Sequence, residues 1–183
     1  MTRIEADDFV LRFKSGPMSL SSPKIMGIVN ITPDSFYDGG RHFTRESAVR
    51  HALDLADEWA DILDIGGEST RPGSDPVGED EELRRVIPVI ETLSAKLKIP
   101  ISIDTRRSGV AVRALDAGAA MINDVSGLRH DPGIAPLAAE RKAPLAVMHM
   151  KGLPKTMQDN PVYGNLMGEI VDFLEESVRA AEK

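Results

Sequence analysis

The chain contains no cysteine, which excludes disulfides and thiolate metal sites and suits a reducing cytoplasm. Its first residues, MTRIEADDFV, lack the apolar centre of a signal peptide. No apolar run approaches the length of a membrane span. Positive charge is also short: the formal net charge is −7 and the pI about 5.1. That balance argues against general nucleic-acid or membrane-surface binding. An anionic ligand must therefore be held by local donors or a metal. There is no low-complexity segment and no convincing linker. Covalent machinery is missing as well, with no Ser/His/Asp or Cys/His arrangement, no GxxxxGK loop and no HExxH helix.

What is present is an ordinary globular composition, 42% hydrophobic and 28% charged over 183 residues, sized for a single domain, 1–183. Residues 1–22 include a predicted hairpin, with Phe9, Leu11 and Phe13 alternating, a turn at Ser15-Gly16-Pro17, and a return through Met18 and Leu20. It reads as a plug over the end of something larger. Residues 23–183 alternate strand and helix patterns. Strands are expected over 24–31, 62–65, 99–103, 119–122 and 143–148, with helices between and after them. Thr44 is a candidate N-cap, and Val49, Ala52, Leu53, Ala56 and Trp59 recur at helical spacing. The second helix, about 80–97, contains Pro88, which predicts a bend. Leu166, Ile170, Phe173, Leu174 and Val178 form the apolar stripe of the last helix. The βα repetition implies a parallel sheet with right-handed crossovers.

Polar residues gather at the strand ends. Asn30, Asp64, Asp104, Asn123 and His149 fall at or near the C-terminal ends of five successive strands. In a parallel α/β fold those ends point to one face, so the five converge. The densest stretch is Ile62 to Ser74, ILDIGGESTRPGS, an apolar strand with one interior acid that breaks at Gly66-Gly67 into a hydroxyl, Arg and Pro loop. Asp and Asn side chains arranged this way suit a flat heterocycle with amide-like edges. Asn30, with the acids of the loop after it, suits an oxygen-ligated Mg²⁺. His149 reads equally as a base, a phosphate donor or a structural side chain. His42, His51 and His130 read as surface residues, Met148 and Met150 as pocket wall or core, and the run Glu79 to Glu82 as a solvated helix start.

Five segments, NITPDSFYDGG (30–40), DIGGESTRPGS (64–74), ISIDT (101–105), INDVSG (122–127) and MHMKGLPKTMQ (148–158), resemble dihydropteroate synthase in register from about residue 24 to 160. The resemblance implies a TIM (β/α)8 barrel, of which this chain supplies the N-terminal hairpin and about five βα units. It implies an enzyme joining 6-hydroxymethyl-7,8-dihydropterin pyrophosphate to p-aminobenzoate, releasing pyrophosphate, and sensitive to sulfonamides. Carried over, Asn30 looks like the Mg²⁺-site residue. Asp104 and Asn123, the catalytic candidates, look like the pair that grips the pterin edge. Thr70 looks like a substrate contact, Arg71 and Pro72 belong to the second loop, and Phe36 and Pro72 shape the aminobenzoate pocket. Asp64 supports the pocket floor. Tyr37 stands where the family more often has a small residue. The mechanism implied is dissociative, with positioning and electrostatics in place of a protein nucleophile.

The family pattern runs on where this chain does not. A closed barrel has eight strands and about 250 residues. Strands six to eight would carry a pterin-binding acid in a Gly-Phe-Gly type motif, a lysine, and an Arg-x-His for phosphate. The expectation is an incomplete barrel with little turnover alone, without the family homodimer, whose contacts lie mainly in the absent helices. Two other readings compete. A methyltetrahydrofolate-binding barrel module shares the pterin grip but would not be expected to carry SFxDGG with STRPGS. A flavodoxin-like open sheet suits five strands but not the absence of an acid cluster at the first strand.

Overall fold

Residues 9–31, 45–68, 77–152, 156–158 and 160–183 are described by a computed structural model of the chain. The predicted hairpin forms from β1 (Val10–Phe13) and β2 (Gly16–Ser19), antiparallel with Leu11 opposite Met18. Its turn falls at Lys14-Ser15, earlier than expected, because Gly16 takes a φ of +133° and already starts the return strand.

Five parallel strands follow: β3 (Met26–Asn30), β4 (Ile62–Gly66), β5 (Ile101–Asp104), β6 (Met121–Asp124) and β7 (Leu145–Val147). Between and after them run α1 (Arg45–Asp57), α2 (Glu79–Ser94), α3 (Ser108–Asp116), α4 (Ile134–Arg141) and α5 (Leu166–Ala181). The strands lie in sequence order, β3-β4-β5-β6-β7. A flavodoxin-like sheet would place β3 between two later strands. That reading is overturned.

Each helix packs on its successor, so the helices form one layer outside a wall of five strands. Val29, Leu63, Ile65, Ile103 and Ile122 face that layer and meet Ala52, Val86, Ile90, Leu93 and Ala114 in the main core. Strand residues of the opposite parity face inward. At the strands' N-terminal end, Ile62 and Met121 close against Phe13, with Leu11, Met18 and Met26 around them. The hairpin is thus a plug across the N-terminal ends of the strands. Burying Phe13 to 8% exposure stabilises that contact by roughly 2 kcal/mol.

Two expectations fail. Trp59 is not on the buried helix face: α1 ends at Asp57, and Trp59 takes a φ of 90° in the return to β4, 83% exposed. In α5, Leu166 and Val178 are exposed and Ser177 is the buried residue. The seat of this helix is polar: Ser177 Oγ donates to Gly127 O at 2.9 Å, and the Arg129 guanidinium stacks 3.3 Å from the Phe173 ring centre while donating to Ser177. Those contacts fix the helix rotation and turn part of its apolar stripe outward. Among the described residues, no helix is long and apolar enough to cross a membrane.

Helix α3 begins without a cap of its own. Asp131, from the loop before α4, supplies one, accepting from Ser108 N at 2.7 Å and Gly133 N at 2.8 Å. These bonds hold its carboxyl below the usual range against the opposing effect of burial. Asp131→Ala should cost about 1–2 kcal/mol by urea melt at pH 7. The deficit should shrink as pH falls through the depressed carboxyl range, because protonation removes the same cap from the parent chain.

Candidate active site

The register places Asn30, Gly66, Asp104, Asn123 and Ala146 in one row across the inner face of the wall. Sequence reasoning brought the polar members to one face; the register puts them side by side. Gly66 is the gap that admits its neighbours. A Cβ there would lie 3.1 Å from Asn30 Oδ1 and 3.4 Å from Asp104 Oδ2. The two side chains therefore lean over the glycine toward one another.

One level below, Asp64 is 4% exposed and accepts from Asn123 Nδ2 at 2.9 Å. The hydrogen bond of Asn123 thus goes to Asp64 and not to Asp104. The other oxygen of Asp64, Oδ1, and the Ser102 hydroxyl opposite it are buried without a hydrogen-bond partner among the described residues. Burial pushes the Asp64 carboxyl up, with Ser102 and Asn123 pulling the other way. Asp104 is pushed up to about 8, by burial first and then by the negative neighbours Asp64, Glu82, Asp124 and Glu68. A carboxyl raised that far favours its protonated form at neutral pH.

A second layer of charge lies behind the row, where sequence reasoning did not look. Glu68 accepts from Arg106 Nε at 3.2 Å and Nη2 at 3.0 Å, and from Arg107 Nη1 at 3.0 Å. Arg107 also donates to Glu82 and, at 2.8 Å, to Val77 O. Burial acts to raise the Glu68 carboxyl, yet the two arginines leave it lowered. Glu82 is fully buried, with its carboxyl raised by burial against the pull of Thr105 and Arg107. The expected solvated helix start is thus corrected at Glu82. The cause is close packing: a Cβ on Gly67 would meet Val86 Cγ1 at 2.8 Å and Glu82 Cγ at 3.0 Å, so α2 is seated directly on the Gly66-Gly67 exit of β4. The Arg106-Arg107 doublet following Asp104-Thr105 was the available signal, since two adjacent cations on an acidic chain need partners.

Asp124 faces away from the row. It is fully buried and accepts from Ser126 N at 2.8 Å and Leu128 N at 2.9 Å, which shapes the loop after β6. Met148 follows β7 with the same parity as Ala146, half-buried, its N donating to Asp124 O at 3.3 Å. The His149 ring packs edge-on to Phe173 at 4.8 Å and tilts against Tyr163 at 5.9 Å, an aromatic setting that matches the structural alternative. His130 is exposed and His51 half-buried. Phe36, Tyr37, His42, Thr44, Thr70, Arg71 and Pro72 lie outside the described residues.

Among the described residues no cluster of three or more His, Asp or Glu could hold a metal. Asn30 offers one neutral amide oxygen at the lip of the row. A single such donor fits an ion that takes most of its ligands from phosphate and water, as Mg²⁺ does.

Comparison with known proteins agrees with this geometry. The family described as pterin binding enzyme matches residues 26–183. A dihydropteroate synthase of Synechocystis is 49% identical over 157 residues, and one of Bacillus subtilis 47%; each alignment covers 86% of this chain. The chain spans about half the length of these curated relatives, 54% and 53%. Among solved structures, the Yersinia pestis dihydropteroate synthase with a sulfonamide drug superposes with a TM-score of 0.86 at 42% identity, covering 94% of this chain and 62% of that one. The Xanthomonas albilineans enzyme with 4-aminobenzoic acid gives 0.85 at 50% identity, covering 94% and 61%. The wall of five consecutive βα units is therefore part of a TIM-barrel fold, and the chain belongs to the pterin-binding enzyme family, alongside the dihydropteroate synthases it resembles.

Proposed function

We propose that these residues form the pterin half of a dihydropteroate synthase site, which condenses 6-hydroxymethyl-7,8-dihydropterin pyrophosphate with p-aminobenzoate in the cytoplasm. The observation that supports it is the inner-face row, in which the Asp104 carboxyl and the Asn123 amide lie beside a glycine gap, above an Asp64 Oδ1 that has no hydrogen-bond partner among the described residues. A pterin edge offers ring N–H and amino donors together with acceptors, and this set can meet both.

In the reaction the C–O bond to pyrophosphate breaks, the electron pair leaving with the oxygen. The aminobenzoate nitrogen then attacks the exposed methylene carbon and gives up a proton. Asn30 would help to hold Mg²⁺, which would supply positive charge to the leaving group. Asp104 would face the pterin ring that carries the positive charge left behind. It must lose its proton to stabilise that charge, and the desolvated site strengthens the interaction once it does. Thr70, Arg71, Pro72 and Phe36 are proposed to complete the aminobenzoate side, and Met148 the pterin wall.

The deciding experiment titrates the purified 183-residue chain with the pterin pyrophosphate and Mg²⁺, and separately assays turnover. Saturable pterin binding is expected, with turnover below about 1% of a full-length relative, because five of the eight units carry Asp104 and Asn123 but neither the further pterin-binding acid and lysine nor the phosphate-binding Arg-x-His that the resemblance places on later strands. No saturable binding by a chain shown to be folded would overturn the reading. Gly66→Ala should weaken that binding about tenfold or more with little loss of stability. The new methyl group would push Asn30 and Asp104 apart at the ligand edge.

A further inference from the structure

The end of the wall opposite the site holds a cavity of about 290 Å³. Its floor is apolar, built by Leu97, Ile99, Pro100, Leu115, Ala119 and Ala143. Four cations line it, Lys14 from the hairpin turn, Lys98 from the loop before β5, and Arg141 and Lys142 from the end of α4; no acid does. Arg141 is paired with Asp116 at 2.7 Å. Among the described residues, Lys14, Lys98 and Lys142 form no salt bridge. On a chain of net charge −7, this is a local reversal of sign.

Cations near helix C-termini are ordinarily accounted for by the helix dipole. That account reaches Arg141 but not Lys14, which lies in a turn between strands. Nor does it explain the backbone of Lys142, which takes the left-handed conformation, φ 52° and ψ 40°, at the end of α4. The corresponding exit from α3 is made by Gly118, φ +113°, the residue type that takes such a φ without strain. A lysine there costs the fold something and turns its side chain to the cavity rim.

We propose that this basal cavity binds a small organic anion, an apolar ring or chain bearing phosphate or carboxylate groups. The ring would lie on the Leu97, Pro100 and Leu115 floor, and Lys14, Lys98 and Lys142 would neutralise the anionic groups at the rim. The site spans the plug and three successive βα units, so its ligand would tie the hairpin to the wall.

The test is an amide NMR titration of the whole chain with phenyl phosphate, without Mg²⁺. Saturable shifts are expected at residues 14–15, 94–99, 118–120 and 141–143, with an apparent Kd of about 1 mM or below. Gly66, Asp104 and Asn123 should not move. The Lys98→Glu/Lys142→Glu chain should bind about tenfold or more weakly, and Lys98→Gln/Lys142→Gln should fall between it and the parent, all three with the same amide dispersion. Shifts confined to the opposite face, no saturable shifts at the base, or equal affinity in folded parent and variants would each overturn the proposal.

Discussion

Replacing Arg107 by alanine should destabilise the chain by about 3–5 kcal/mol, lowering the melting temperature by about 10 °C. Arg107 is the salt-bridge partner of Glu82, whose side chain is 0% exposed and whose Oε1 has no hydrogen-bond partner among the described residues. Without the guanidinium, α2 carries an uncompensated carboxylate into the core beside Gly67. Glu68 suffers less, because Arg106 remains on it with two hydrogen bonds. The sign with pH follows from the raised Glu82 carboxyl. A group that is harder to ionise in the folded state stabilises the fold at low pH and loses that contribution as pH rises. The Arg107→Ala deficit should therefore be largest above pH 7 and shrink toward pH 5. Thermal melts across that range check it, and a deficit independent of pH would refute the assignment. Arg107→Ala with Glu82→Leu should recover most of the loss, since an apolar replacement of both partners leaves no buried charge.

Asp104→Asn should do the opposite: raise stability while abolishing pterin binding. Asp104 holds its proton until about pH 8, against an ordinary 3.8. Its contribution is fully present below about pH 4 and lost as pH rises through about 8, where ionisation sets another charge among Asp64, Glu82, Asp124 and Glu68. Asparagine keeps the shape and cannot ionise. The variant should gain on the order of 2 kcal/mol at neutral pH, about 4–8 °C in melting temperature, and more at pH 9. Parent and variant should converge near pH 4. In the parent, pterin affinity should rise about tenfold per pH unit between pH 6 and 8 and then level, because the ligand needs the ionised carboxylate. A parent profile flat with pH, or a variant less stable than the parent at pH 8, would contradict the electrostatics described here.

The strand ends were legible because their chemistry is local. An apolar run closing in Asp, Asn or Gly announces both a parallel strand and its functional end, and Asn30, Asp64, Asp104 and Asn123 all fall at or beside the row on that basis. The plug was legible from the alternation of Leu11 and Phe13, whereas Phe9, counted in the same alternation, precedes β1 and is 50% exposed. Glu82 was not, because its burial depends on how closely α2 approaches Gly67, a distance that no periodicity encodes. Trp59 misled for a related reason: its spacing fits a helix face, but the turn back to β4 begins first. For α5, the polar seat of Ser177 on Gly127 decided the rotation that the apolar stripe alone had suggested otherwise. The partner of Asn123 was likewise beyond reach, since Asp64 and Asp104 differ by one level of the same inner face.

The consecutive order of the five strands bears on how the molecule acquires its shape. Among the described residues, each strand of this sheet pairs with its neighbours in chain order, so every such pairing closes a loop of one βα unit. No contact between the first and last strands is needed before the earlier ones can form. Loop-closure entropy is then met in similar instalments, and the chain can zip from its N-terminal unit onward as it leaves the ribosome. The Asp104 pocket lies midway along this sequence of steps, bounded by the neighbours that assemble just before and just after it.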